Sequence, residues 1–168
     1  MMFRIGHGYD VHKYCANLKP LIVGGVNIEY DRGVDAHSDG DVLLHALCDA
    51  MLGALSQRDI GYHFPDSSNE NKDRCSSDFV NYAKMLMCEQ GYSIGNVDIT
   101  IVAQAPKFKG YIVQIIETLA TLLEIERDQV NVKATTTEKL GFIGREEGIG
   151  AHAVVLLMRE CNKIGDKI

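Results

Sequence analysis

Residues 41–55, Asp-Val-Leu-Leu-His-Ala-Leu-Cys-Asp-Ala-Met-Leu-Gly-Ala-Leu, constrain the fold more than any other stretch of this chain. At helical spacing Val42, Leu43, Leu44, Ala46, Leu47, Ala50, Met51, Leu52, Ala54 and Leu55 leave almost no face for water, so the helix must be buried. Ser38, Asp39 or Asp41 can cap its start. Asp41, His45 and Asp49 recur every four residues and draw one polar stripe along that buried rod. Buried charges need partners or a metal. If His45 binds a metal through one nitrogen, the other should donate to a carboxylate or carbonyl, and Asp49 or Asp41 is placed to receive it. The alternative is a capping acid at Asp41 and a hydrogen-bonded core histidine.

The stripe finds a counterpart in Gly6-His7-Gly8-Tyr9-Asp10-Val11-His12, which with Phe3 and Ile5 reads as an N-terminal strand. Alternate strand residues share a face, so Asp10 and His12 emerge side by side. With His45 as a third ligand they could hold one divalent ion. Asp plus two His leaves zinc an open position, the mark of a catalytic rather than a structural site.

Further along, Leu21-Ile22-Val23 and Val26-Asn27-Ile28 flank Gly24-Gly25 as a hairpin, with the glycines read as turn residues only. Asp31-Arg32-Gly33 is another turn. Residues 57–74, holding Asp59-Ile60-Gly61 and Phe64-Pro65-Asp66, form the longest non-periodic segment and read as a functional loop. A helix over 76–90, with Phe79, Val80, Ala83, Met85, Leu86 and Met87 on its apolar side, stops at Gly91. A strand over 97–104 ends at Ala105-Pro106. Lys107 is expected to open the next helix, where a cation is misplaced unless an anion is near. A strand over 130–137 delivers Thr135, Thr136 and Thr137, followed by Glu138-Lys139 and a glycine-rich ligand loop to Gly148. The last strand spans 149–158. This order predicts an α/β (α+β) single domain over 1–160, a mixed sheet with helices on one face, and a polar tail over 161–168. The other sheet face has no helix left to cover it, which points to self-association through the sheet.

A formal net charge of −6 over 168 residues argues against nucleic acid as a partner. An acidic protein can still take a phosphorylated ligand if a metal supplies local positive charge. No apolar run reaches membrane-spanning length, and the N-terminus lacks the pattern of a secretory signal. Five cysteines without a Cys-x-x-Cys pair fit reduced thiols in the cytoplasm.

Five blocks in order, GHGYDVH, AHSDGDVLLHAL, DIGYHFPD, GNVDITIVAQAPK and NVKATTTEKLGFIGR, resemble the 2-C-methyl-D-erythritol 2,4-cyclodiphosphate synthases of the non-mevalonate isoprenoid pathway, over residues 4 to about 158. The resemblance implies a cytoplasmic homotrimer with active sites between subunits, a plastid protein stripped of its transit peptide reading the same way. It implies zinc on Asp10, His12 and His45. The reaction it implies is attack of a substrate 2-phosphate on the β-phosphorus of a cytidine diphosphate ester, releasing CMP. His37 and Ser38 are expected beside the phosphates. Asp59 and Gly61, with Phe64 and Asp66, are expected around the methylerythritol. Ala103, Pro106, Lys107, Ala134, Thr135 and Thr136 are expected around the cytidine and its phosphates. Glu138 is expected near a second ion, Mg2+ or Mn2+, and Phe142 and Arg145 near the substrate. Arg145 and Glu147 also match residues lining a central trimer cavity where some relatives bind an isoprenoid diphosphate. Tyr9 replaces a frequent phenylalanine and His152 a frequent acid, which leaves that ligand open. Two other readings share the ligands: a zinc phosphohydrolase, and a non-catalytic trimer that senses isoprenoid diphosphates.

Overall fold

A long strand, β1 (Met2–Cys15), alternates its side chains between two very different environments in the computed structural model, which describes residues 1–16, 20–65 and 74–159. Arg4, Gly6, Gly8, Asp10, His12 and Tyr14 face inward, whereas Phe3, Ile5, His7, Tyr9 and Val11 lie on an open face. The hairpin β2 (Leu21–Val23) and β3 (Val26–Ile28) forms its own two-stranded sheet, and β4 (Gly33–Val34) pairs with the end of β1. The buried helix, α1 (Val42–Ala54), follows, then a single turn, α2 (Ile60–His63), and α3 (Ser76–Glu89). β5 (Ser93–Val102), α4 (Ile112–Leu123) and β6 (Val130–Thr135) form a crossover unit whose strands are parallel. A second single turn, α5 (Gly141–Gly144), precedes β7 (Gly148–Arg159).

The main sheet has the order β4-β1-β7-β5-β6, mixed in direction, with α1 packed across β1 and β7 and α4 against β6. This is the one-sided arrangement expected, and α1 is buried on every side but the polar stripe. Its close seat on β1 depends on two strand glycines. A Cβ on Gly6 would lie 1.8 Å from the Ala50 carbonyl oxygen, and one on Gly8 1.9 Å from that of Ala46. Backbone thus packs directly on backbone. The opposite sheet face presents Phe3, Ile5, Tyr9, Val11 and Val154, all exposed within the chain. Among the described residues no helix is long and apolar enough to cross a membrane.

Several boundaries differ from expectation. The helix after Pro106 starts at Ile112, so Lys107 sits in the preceding loop and the dipole argument does not apply to it. Apolar periodicity begins only after Gly110, and nothing earlier in that stretch gives a helix a face to bury. Met85 is 46% exposed and takes no part in the apolar side of α3. The non-periodic segment and the glycine-rich loop each contain a helical turn, α2 and α5. Asp66 and the tail over 161–168 lie outside the described residues.

Candidate metal centre and adjoining cavities

Period-two alternation on β1 aims the side chains of Asp10 and His12 at α1, where His45 meets them. His12 Nε2 lies 3.1 Å from His45 Nδ1, His45 Nδ1 lies 3.0 Å from Asp10 Oδ2, and Asp10 Oδ2 lies 3.3 Å from His12 Nε2. Tetrahedral zinc with bonds of about 2.0–2.1 Å spaces its ligand atoms roughly 3.3–3.4 Å apart. A spread of a few tenths of an ångström (~0.3 Å) would therefore seat an ion on this triangle. The donor set also suits zinc, being two imidazoles and one carboxylate with room for a fourth ligand. Burial pushes the His12 imidazole below its usual pKa, against the pull of Asp10, which favours the neutral form that binds metal. Asp10 is oriented by its other oxygen, Oδ1, which accepts the Val11 N–H at 2.8 Å.

The outer nitrogen of His45 does not reach Asp41 or Asp49. Nε2 instead lies 2.8 Å from Ser76 Oγ and 3.1 Å from Ser38 Oγ. Both acids are committed elsewhere. Asp41 caps α1, its Oδ1 accepting N–H groups from Leu43 and Leu44 at 3.1 Å and from Gly24 at 2.8 Å, while Oδ2 accepts from Gly25 at 2.6 Å. The glycine pair thus clamps the helix start as well as turning the hairpin, at positive φ values of 62° and 74°. Burial drives the Asp41 pKa up to about 6, opposed by the N–H groups of Gly25, Gly24 and Leu44. Asp49 Oδ1 accepts the Ile60 N–H at 2.8 Å and so anchors α2. Asp59 caps that turn by accepting from Tyr62 N at 2.9 Å.

The metal triangle opens into a cavity of about 320 Å³ lined by His12, His37, Ser38, His45, Gly61 and Phe64, with Asp35, Ala36, Ile60 and Phe79 completing the wall. Phe64 packs against Phe79 and Tyr82, with ring centroids 4.7 and 5.1 Å apart. A second cavity, about 490 Å³, is lined by Ala103, Pro106, Lys107, Ala134, Thr135 and Thr136 together with Phe108, Lys109 and Ile112. Glu138 stands just beyond it, in the left-handed region at φ 52°, its Oε1 accepting from Thr136 Oγ1 at 3.1 Å. Phe142 is exposed on α5, and Arg145 is held by Glu147 through Nε–Oε1 at 2.8 Å. No residue lines both cavities. They sit at the same end of the sheet, because His12 pairs with Ile149, Gly150 with Val102, and Val102 with Thr135. Three strand spacings of about 4.8 Å put them roughly 14 Å apart across one chain.

Comparison with known proteins turns this geometry into an assignment. The family model described as "YgbB family" matches residues 3–158, nearly the whole chain. The chain belongs to the YgbB family. A YgbB relative from Francisella tularensis subsp. novicida, named 2-C-methyl-D-erythritol 2,4-cyclodiphosphate synthase, is 57% identical over 159 residues, covering 95% of this chain and 100% of its own. The Plasmodium falciparum IspF structure, a CDP complex, superposes with a TM-score of 0.83 at 41% identity, covering 95% of this chain and 97% of that one. The bifunctional IspDF of Campylobacter jejuni superposes at 0.90 with 42% identity over 95% of this chain, which spans only 43% of that longer protein.

Ser76 and the two β1 glycines escaped the reading of the sequence. The Gly-x-Gly alternation at 6 and 8, on the face of β1 that carries Asp10 and His12, was the signal for close helix approach. Ser76, 31 residues from His45, offered none.

Proposed function

We propose that this YgbB-family enzyme converts 4-diphosphocytidyl-2-C-methyl-D-erythritol 2-phosphate into 2-C-methyl-D-erythritol 2,4-cyclodiphosphate and CMP. The observation that carries the reading is the Asp10–His12–His45 triangle, which opens into a cavity instead of closing into a structural site. An oxygen of the 2-phosphate forms a bond to the β-phosphorus, and the bond from that phosphorus to the bridging oxygen of CMP breaks. The nucleophile belongs to the substrate, so the protein needs no nucleophile and no strong base. Its work is to align two phosphates that repel each other and to absorb their charge. Asp10, His12 and His45 would hold zinc, which when bound would supply Lewis-acid polarisation of a phosphate oxygen. His37 and Ser38 lie on the rim of the triangle's cavity, placed to orient the phosphates there. Asp59, Gly61 and Phe64 surround the methylerythritol, and Asp49 anchors their turn by holding Ile60. The second cavity takes the cytidine end, with Lys107 and the Thr135 and Thr136 hydroxyls as donors to phosphate oxygens. Glu138 would hold a second divalent cation, Mg2+ or Mn2+.

A single substrate must touch both cavities, and a separation of roughly 14 Å across one chain favours pairing each with the other cavity on a neighbouring copy. The open apolar face of β1 and β7 supplies the surface for a homotrimer, and the free thiols of Cys15, Cys48, Cys75 and Cys88 suit the cytoplasm. Phosphorus NMR of the reaction tests the proposal. Cyclic diphosphate and CMP should appear with the wild-type chain and not with His45→Ala. Linear phosphate products would instead mean hydrolysis, and the proposal would fall.

A further inference from the structure

Ser76 is fully buried at the first turn of α3, far in sequence from the residues it touches. Its hydroxyl donates a short hydrogen bond to Asp39 Oδ1, and its backbone N–H donates to Asp39 Oδ2 at 2.9 Å. Asp39 is further fixed by the Asp41 N–H, which reaches Oδ1 at 3.2 Å, and its own N–H donates to the Arg74 carbonyl at 3.2 Å. A carboxylate beside the first N–H of a helix is well placed electrostatically. A serine hydroxyl has one hydrogen, and here Asp39 takes it. Towards His45 Nε2, at 2.8 Å, Ser76 Oγ can then only accept. Ser38 Oγ, the other oxygen near Nε2 at 3.1 Å, accepts the Gly40 N–H at 3.2 Å and keeps both a lone pair and its hydrogen, so it accommodates either tautomer and leaves the choice to Ser76. Ser76 Oγ therefore calls for a proton on Nε2, while Asp10 Oδ2, 3.0 Å from Nδ1, is the acceptor that favours the other tautomer.

We infer that Asp39 and Ser76 are positioning residues that lock His45 in the Nε2–H tautomer and so ready its Nδ1 as a metal ligand. The inference rests on the reading of Asp10, His12 and His45 as the metal centre. An aspartate acting through a serine explains why a buried hydroxyl from α3 meets a histidine from α1, a contact that packing alone does not require.

Two measurements on the full chain test it. Nitrogen-15 NMR of the imidazoles in the metal-free wild-type protein should find His45 protonated at Nε2, and a proton on Nδ1 alone, donated to Asp10, would overturn the inference without recourse to any variant. Zinc affinity is then measured by chelator competition for wild type, Ser76→Ala, Ser76→Thr and Asp39→Asn, with thermal unfolding recorded beside it. Loss of a ligand's outer hydrogen-bond partner typically weakens metal binding about 10- to 100-fold. That loss is expected for Ser76→Ala, with recovery towards wild type in Ser76→Thr. Asp39→Asn can donate to Ser76 and reverse the hydroxyl, so it should shift His45 towards Nδ1–H. Wild-type affinity in Ser76→Ala would sink the inference while leaving the metal centre intact. A wild-type chain that binds no zinc would sink the metal centre itself.

Discussion

Replacing Gly8 by alanine tests whether the metal centre depends on backbone contact between β1 and α1. The new Cβ would lie 1.9 Å from the Ala46 carbonyl oxygen and 2.7 Å from the Ala50 nitrogen, where real Cβ atoms keep 3.0 Å or more. Both obstacles are backbone atoms of a buried helix and have no rotamer to change. The helix must withdraw by about 1 Å, and a core packed at crystal density absorbs that poorly. Overpacking of this kind costs about 3 kcal/mol, the upper end of its usual range. With a urea slope of about 2 kcal/mol per molar, the unfolding midpoint should fall by about 1.5 M. His45 is the residue before Ala46 and moves with it, whereas metal–ligand bonds tolerate only about 0.2 Å. Zinc affinity should therefore drop about tenfold or more. Urea denaturation followed by circular dichroism, with chelator competition for zinc, reads both effects. An unchanged midpoint would refute the packing argument. A lowered midpoint with unchanged zinc affinity would refute the coupling of strand glycine to metal site.

Asp41→Asn should destabilise the chain by about 1–3 kcal/mol at pH 7, since an amide cannot accept from Gly24, Gly25, Leu43 and Leu44 together. The folded carboxyl titrates near 6, and an unfolded one near 3.9, so between these values only the native state holds the proton. That contribution to wild-type stability falls as pH rises through the window, and the cost of Asp41→Asn should be larger at pH 4.5 than at pH 7. Urea midpoints showing an equal cost at both pH values would contradict this. Lys107→Ala should weaken CMP binding about tenfold in calorimetry while leaving zinc content unchanged; unaltered CMP affinity would remove Lys107 from the nucleotide cavity. Glu138→Gln should raise the magnesium concentration needed for half-maximal CMP release about tenfold, with zinc content intact. An unshifted magnesium titration would count against its role.

How far the chain could be read in advance depended on the range of the interaction. Asp10 and His12 were legible because strand periodicity is local, and the buried α1 was legible because ten apolar residues leave it no solvent face. His45 followed from its place on the polar stripe. Its hydrogen-bond partner did not, because nearby Asp41 and Asp49 looked equally available in one dimension. In space, the N–H groups of the hairpin and of α2 claim both acids first. α2 and α5 were missed because four residues are too short to display a period. The helix expected from Lys107 begins only at Ile112, where the apolar face starts.

Two of the three candidate ligands come from the first strand and the third from a helix 33 residues later, so an ion gripping all of them is a staple across the chain. The unfolded polypeptide has no such grip, and by mass action every tenfold rise in free metal above the dissociation constant adds about 1.4 kcal/mol to the folded state. Metal supply and fold stability would then be linked, and a chelator would lower the unfolding midpoint of the folded chain without itself unfolding it.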